Sequence, residues 1–260
     1  FEKEFLQVPF ERQLAHCDHY ELAPLFLRLL PAHQPILEAG CGSGRWVGWF
    51  VRQGWQSTGL DWSEALCERA RQNVPGGTFV SGDMRAMPFK DNSFGSIISL
   101  GAIEHSVEGP LASLREYHRV LRPGGVAVIT VPFLGPARRL SRAVKAIVHA
   151  GDRDRRAAAA KARPEWACDL MRDSLGAWEF FQYNFSRVQM RGFLNSVGLM
   201  RVDEFVDFRD EGILHNSSFL AGSYDYENSR VRFNALGRTL KAVVPAAWVG
   251  HMLCYVVRKP

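Results

Sequence analysis

In "PILEAGCGSGRW", residues 35–46, an apolar pair, Ile36 and Leu37, is followed by an acid, Glu38, and by glycines at 40, 42 and 44. Glycines at that spacing make a tight turn and let a ligand approach bare backbone. The pattern G-x-G-x-G departs from the dinucleotide fingerprint, because Arg45 stands three after Gly42 where that fingerprint needs a small residue. An acid two residues before the first glycine suits a ligand with an ammonium or other positive charge and works against a pyrophosphate. Asp61 follows 17 residues beyond Gly44, where an acid in a doubly wound fold takes the hydroxyls of a ribose. Asp83 and Met84, in "GDM", are placed to meet the exocyclic amine of an adenine and to cover its ring. Gly101, in "SLGAIEH", offers backbone close to the ligand. Together these positions describe an adenosine carrying a cationic or amino-acid tail.

Each of them falls at the end of an expected strand. "PILEA", "STGLD", "TFVSGD", "SFGSIISL" and "GVAVITVPF" read as five strands. They alternate with helices over residues 44–54, 63–73 and 109–121, with Ser63 as a cap. That alternation argues for an α/β, doubly wound, mostly parallel sheet, in which ligands gather at the carboxyl ends of the strands. A leading helix is expected over residues 18–30. After Phe133 the regularity breaks. It resumes with "EFFQYNF", a helix over 186–197, a strand "LMRVDEFVDF", a helix over 231–243 and a strand "HMLCYVVRK". The organisation expected is therefore one α/β domain (residues 1–133 and 181–260) interrupted by a helical lid, residues 134–180.

The segments "LEAGCGSG", "GLDWSEAL", "SGDMRAMPFKDNSFGSIISLGAIEH" and "EYHRVLRPGGVAVITVPF" resemble the successive motifs of the class I S-adenosylmethionine-dependent methyltransferases, in the small-molecule and quinone-methyltransferase branch. The likeness runs from about Pro35 to Phe133, and "FSRVQMRGFLNSVGL" continues it. It implies a seven-stranded Rossmann-like sheet and S-adenosylmethionine as cofactor, with S-adenosylhomocysteine as product. It implies that Glu38, Gly40, Cys41, Gly42 and Gly44 hold the methionine part, Asp61 the ribose, and Trp62 the adenine face. Asp83 and Met84 would hold the adenine edge, and Leu100 and Gly101 the methionine side. The family carries no universal catalytic residue. His105 is the one histidine that the motifs bring beside the pocket. It is the candidate base, or it orients substrate or cofactor, or it caps the next helix. Glu104 either faces substrate or ends a helix in solvent.

Methyl transfer is an in-line displacement that needs a nucleophile about 3–3.5 Å from the methyl carbon. The reading is an enzyme that methylates a small molecule, with a hydroxyl as acceptor. Lipid-linked or quinone-like acceptors at a membrane surface come second, and a cofactor-binding regulator without turnover is the alternative of another class. Composition agrees with a globular enzyme: of 260 residues, 47% are hydrophobic and 23% charged. The five cysteines are scattered, odd in number and without a C-x-x-C pair, which points to reduced thiols in a cytoplasm and to no metal site. His16-Cys17-Asp18-His19 reads as a helix start rather than a metal cluster. No signal peptide is expected from the charged stretch "FEKEFLQVPFERQL".

The net charge of +5 is uneven: residues 138–163 hold nine Lys or Arg and two Asp. A basic patch confined to one segment disfavours a nucleic-acid substrate. Within it, Leu140, Val144, Ile147 and Val148 share one helical face, flanked by Arg138, Arg139, Arg142 and Lys145. Over residues 138–149 such a helix is compatible with peripheral contact to an anionic membrane. The simpler expectation is a lid helix whose apolar stripe packs on the domain. The sequence says nothing about oligomeric state.

Overall fold

The structure is a computed structural model, and it describes residues 8–216, 222–225 and 230–260. The seven-stranded sheet implied by the resemblance is present. Its strands are β1 (Ile36–Ala39), β2 (Ser57–Asp61), β3 (Thr78–Ser81), β4 (Phe94–Leu100), β5 (Leu121–Pro132), β8 (Met200–Asp207) and β11 (Met252–Arg258), in the order β3-β2-β1-β4-β5-β11-β8. The first five run parallel, and β11 is antiparallel to both β5 and β8. The chain order reverses between β1 and β4, so the crevice at their carboxyl ends is the switch point where doubly wound sheets take ligands.

Both faces of the sheet are covered, which is why β1 is buried throughout and β4 at every position but its last. On one face lie α1 (Phe10–Asp18), α2 (Ala23–Leu29) and α3 (Arg45–Arg52). Phe26, Trp46, Trp49 and Phe50 stack there edge to face or tilted. The other face is covered by α5 (Leu111–Val120) and α8 (Arg187–Ser196), which bury Leu114, Tyr117, Met190 and Leu194. Between β2 and β3 runs α4 (Glu64–Asn73), and Ser63 caps it, its hydroxyl accepting from the Leu66 N–H at 3.3 Å. Ser186 and Gln189 close a full capping box on α8.

Several expectations need correction. The leading helix is two helices, with the chain turning over Asp18–Leu22. The His16–His19 stretch therefore ends a helix instead of starting one, and Asp18 accepts from the Trp49 indole at 2.7 Å. The segment 231–243 divides into a strand, β10 (Arg230–Phe233), paired with β9 (Gly222–Asp225), and a helix, α10 (Ala235–Val243), capped by Asn234. Two further helices flank this region, α9 (Arg209–Asn216) and α11 (Ala246–Val249).

The segment 134–180, expected to be a helical lid, is only half helical. It begins with α6 (Pro136–Val148) and α7 (Arg153–Ala159). It then forms an antiparallel hairpin of β6 (Ala167–Arg172) and β7 (Trp178–Asn184). The hairpin turn is built by Asp173, whose carboxylate accepts from the N–H groups of Leu175 and Ala177, and by Gly176 at φ 88°. Phe133 and Phe185 bridge where the chain leaves the sheet and returns. The apolar stripe of α6 also faces the wrong way for a packed lid: Leu140, Val144, Ile147 and Val148 are exposed, while Arg138 is buried.

Candidate functional site

Strand β1 ends at Ala39 and hands over to a turn in which Gly40, Gly42 and Gly44 all take positive φ, at 82°, 51° and 77°. Asp61, at the end of β2, ties that turn down. Its Oδ2 accepts from the Gly42 N–H at 2.8 Å and its Oδ1 from the Ser63 N–H at 3.0 Å. A side chain on Gly40 would stand 2.6 Å from Ala102 Cβ, so the loop after β1 and the loop after β4 need this glycine to lie together.

These loops enclose a cavity of about 660 Å³, lined by Gly40, Gly42, Asp61, Trp62, Asp83, Met84, Leu100, Gly101 and His105. Nine of the expected site residues thus share one wall, and Trp62 projects from it 76% exposed. Asp83 is held by Arg85, whose Nε lies 2.9–3.0 Å from both carboxylate oxygens; the guanidinium keeps the acid below its usual range. Arg85 also reaches Glu108 at 2.5 Å.

Three expected residues lie behind the wall. Glu38 is buried and accepts from the Val47 N–H at 3.2 Å, and burial pushes its carboxyl up to about 8. Cys41 turns its thiol toward Gly59 and Cys67. Gly44 begins α3, and a Cβ there would stand 2.6 Å from the Phe79 ring, so helix packing alone accounts for the glycine.

The aromatic run Trp166, Trp178, Phe180, Phe181, Tyr183 and Phe185 reads in the sequence either as the lining of an apolar substrate pocket or as the core that fastens the insertion; the hairpin that carries most of it, and Met171, were missed. Met171 on β6 and Phe180 and Phe181 on β7 line the same cavity, so the hairpin is its apolar roof. The signal was the "DSLG" turn between two β-prone runs. His105 joins floor to roof: its Nδ1 lies 2.7 Å from the Phe181 carbonyl, and the ring also bonds to the Gly101 backbone. Burial lowers its pKa despite those two contacts, so the ring is neutral near pH 7.

Glu104 does not end a helix in solvent. It is 1% exposed, its Oε2 has no partner among the described residues, and burial raises its carboxyl to about 8. Among the described residues no group of three or more His, Cys, Asp or Glu is placed to hold a metal ion. None of their helices is long and apolar enough to cross a membrane. A smaller cavity of about 440 Å³ beside α2 and β8, lined by Glu21, Arg28 and Asp203, has no glycine turn and lies away from the strand ends at the switch point.

The profile of the family described as "Methyltransferase domain" matches residues 37–129. Over 113 residues the chain is 36% identical to the malonyl-[acyl-carrier protein] O-methyltransferase of Erwinia pyrifoliae, covering 42% of this chain and 41% of that protein. Over 125 residues it is 34% identical to the demethylmenaquinone methyltransferase of Renibacterium salmoninarum, covering 45% and 52%. The chain thus spans about half the length of these relatives. A crystal structure of an S-adenosylmethionine-dependent methyltransferase from Methanosarcina mazei superposes with a TM-score of 0.62 at 17% identity, over 92% of this chain and 99% of that one. The matched segment contains the glycine turn, Asp61, Asp83 and the loop after β4. Residues 37–129 thus match a methyltransferase domain, within a chain that has the fold of the superposed S-adenosylmethionine-dependent methyltransferase.

Proposed function

We propose that the chain methylates a small-molecule oxygen, a hydroxyl, from S-adenosylmethionine. The observation that carries the reading is the cavity itself: a glycine turn, Asp61 and Asp83 on one wall, and an apolar roof of Met171, Phe180 and Phe181 on the other. The residues present fit the cofactor. Asp61 keeps lone pairs for a ribose after accepting from Gly42 and Ser63. Asp83 offers an acceptor at the far end, and Met84 and Trp62 offer faces for a ring. Glu38, buried behind the turn with its carboxyl raised to about 8, braces the start of α3 through the Val47 N–H and does not itself line the wall. When bound, the cofactor supplies an activated methyl on a sulfonium, so the protein's task is to align the acceptor and exclude water.

An oxygen acceptor is supported by the likeness to an enzyme named as an O-methyltransferase. His105 fits the role of a positioning residue better than that of a base, because its ring contacts are with two backbone groups. A hydrophobic acceptor, quinone-like or lipid-linked, is the second reading. It is favoured by the aromatic roof and by the likeness to a demethylmenaquinone methyltransferase.

The test is calorimetric titration with S-adenosylmethionine, S-adenosylhomocysteine and NAD, followed by mass analysis of candidate acceptors. Micromolar binding of both sulfur compounds and none of NAD is expected, and an acceptor gaining one methyl completes the case. Binding without turnover on any acceptor would favour a regulator, and no binding at all would overturn the reading.

A further inference from the structure

Helix α6 is amphipathic in the inverted sense. It fastens itself to the domain with arginines: buried Arg138 donates to Asn184 Oδ1 and, at 2.6 Å, to His251 Nδ1. Arg142 donates to the Cys168 carbonyl and to Asp169 Oδ1, both at 2.7 Å. The apolar residues occupy the outer face instead. Leu140, Val144, Ile147 and Val148, at i, i+4, i+7 and i+8, are 69%, 52%, 77% and 71% exposed. Helix α11 packs beside α6 and carries an exposed Trp248, and Val243 at the end of α10 is exposed as well.

Exposed cations accompany this stripe along the chain. Arg139 and Lys145 are exposed on α6, as are Arg153, Arg156 and Lys161 in the segment that follows. Two aspartates set against nine Lys or Arg leave residues 138–163 strongly positive. A protruding apolar stripe, an exposed indole and long cationic side chains that can snorkel beside them are what an interfacial helix presents to lipid. The charge selects among occupants. A second copy docking isologously would set one basic segment against another, and a nucleic acid would leave the apolar stripe without a partner. An anionic lipid headgroup layer over acyl chains satisfies both features.

We propose that the outer face of α6, with Trp248, docks this protein on an anionic membrane surface. The proposal stands apart from the catalytic reading, because docking needs neither cofactor nor acceptor. The test is sedimentation of the full chain with phosphatidylcholine vesicles, with and without phosphatidylglycerol, at low and high salt. Partition is expected only into vesicles containing phosphatidylglycerol, and it should fall as salt rises. Leu140→Ser together with Ile147→Ser should weaken it at least about tenfold, and Arg139→Glu together with Lys145→Glu at least about tenfold. Both pairs are exposed, so calorimetric affinity for S-adenosylhomocysteine and the thermal midpoint should match the parent and show an intact fold.

Equal partition of parent and variants would overturn the proposal, as would equal binding to neutral vesicles or none to either kind. A dimer in sedimentation velocity that Leu140→Ser and Ile147→Ser abolish, without lipid binding, would assign the face to a second copy. Failure of the catalytic reading would appear separately, as absent cofactor binding in the same preparation.

Discussion

Asp61 holds the glycine turn and, in the proposed function, a ribose as well; the two can be measured apart. Its carboxylate already accepts from Gly42 and Ser63, so Asp61→Ala should cost about 1–3 kcal/mol of stability and loosen the glycine turn. The ribose contact can be read independently with a 2′-deoxy analogue of S-adenosylhomocysteine. In calorimetry, the analogue's penalty should be present in the parent and absent in Asp61→Ala; the same penalty in both would remove the contact.

Glu104 gives a different signature. Burial raises its folded pKa to about 8 from the ordinary glutamate value of 4.5, so between those values the folded chain holds a proton that the unfolded chain has lost. Stability is then fullest below about pH 4.5 and falls toward pH 8, by an amount on the order of a few kcal/mol. Glu104→Gln should flatten that decline and stabilise the protein at pH 8, as urea unfolding at pH 5 and 8 would show. The acids at strand ends were legible because each follows an apolar run. The burial of Glu104 was not, because the elements that cover it, β7 and the end of β5, are distant in the chain.

Among the elements, the glycine turn and α3 act as one unit, and two glycines with similar φ divide its costs. Gly44→Ala meets both a φ of 77° and the Phe79 ring, whereas Gly54→Ala, at φ 80°, meets no atom within 4 Å. Gly54→Ala should cost about 1–2 kcal/mol from backbone alone, and Gly44→Ala about 1–3 kcal/mol more from packing, measured by thermal unfolding. The hairpin depends on His105 in another way. If the ring pins Phe181, His105→Ala should raise the KM for the acceptor, speed amide exchange in β7 and leave the shape of the pH–rate profile unchanged. A steep fall in kcat with loss of the acid limb would make it a base instead. The parallel strands could be read from the sequence because short apolar runs alternate regularly with helical stretches and end in turn residues. The hairpin could not, since Trp178, Phe180 and Phe181 mix with polar residues in no clean alternation, and β6 and β7 shift register between Asp169 and Leu170.

Taken whole, the molecule puts its charge and its chemistry in different places. The strand ends hold the acids that suit a cofactor, while the surplus of Lys and Arg sits on the insertion. That division was visible in the sequence; the direction in which α6 turns was not, because a helical wheel gives the stripe but not which side is buried. Here the partners in other elements, Asn184, Asp169 and His251, draw the arginines inward.

The placement of β11 also bears on how the chain reaches this state. β11 lies between β5 and β8, and among the described residues β8 pairs with no other strand of the sheet. During synthesis β8 therefore emerges before the strand that will hold it, and waits while everything from Phe208 to His251 is made. At about 5–20 residues per second that interval lasts seconds. Throughout it the outer edge of β5, with Val126, Val128 and Val131, is an unpaired apolar strand of the kind that recruits other chains. The nascent chain is most prone to aggregate in that interval, and release of β11 from the ribosome ends it.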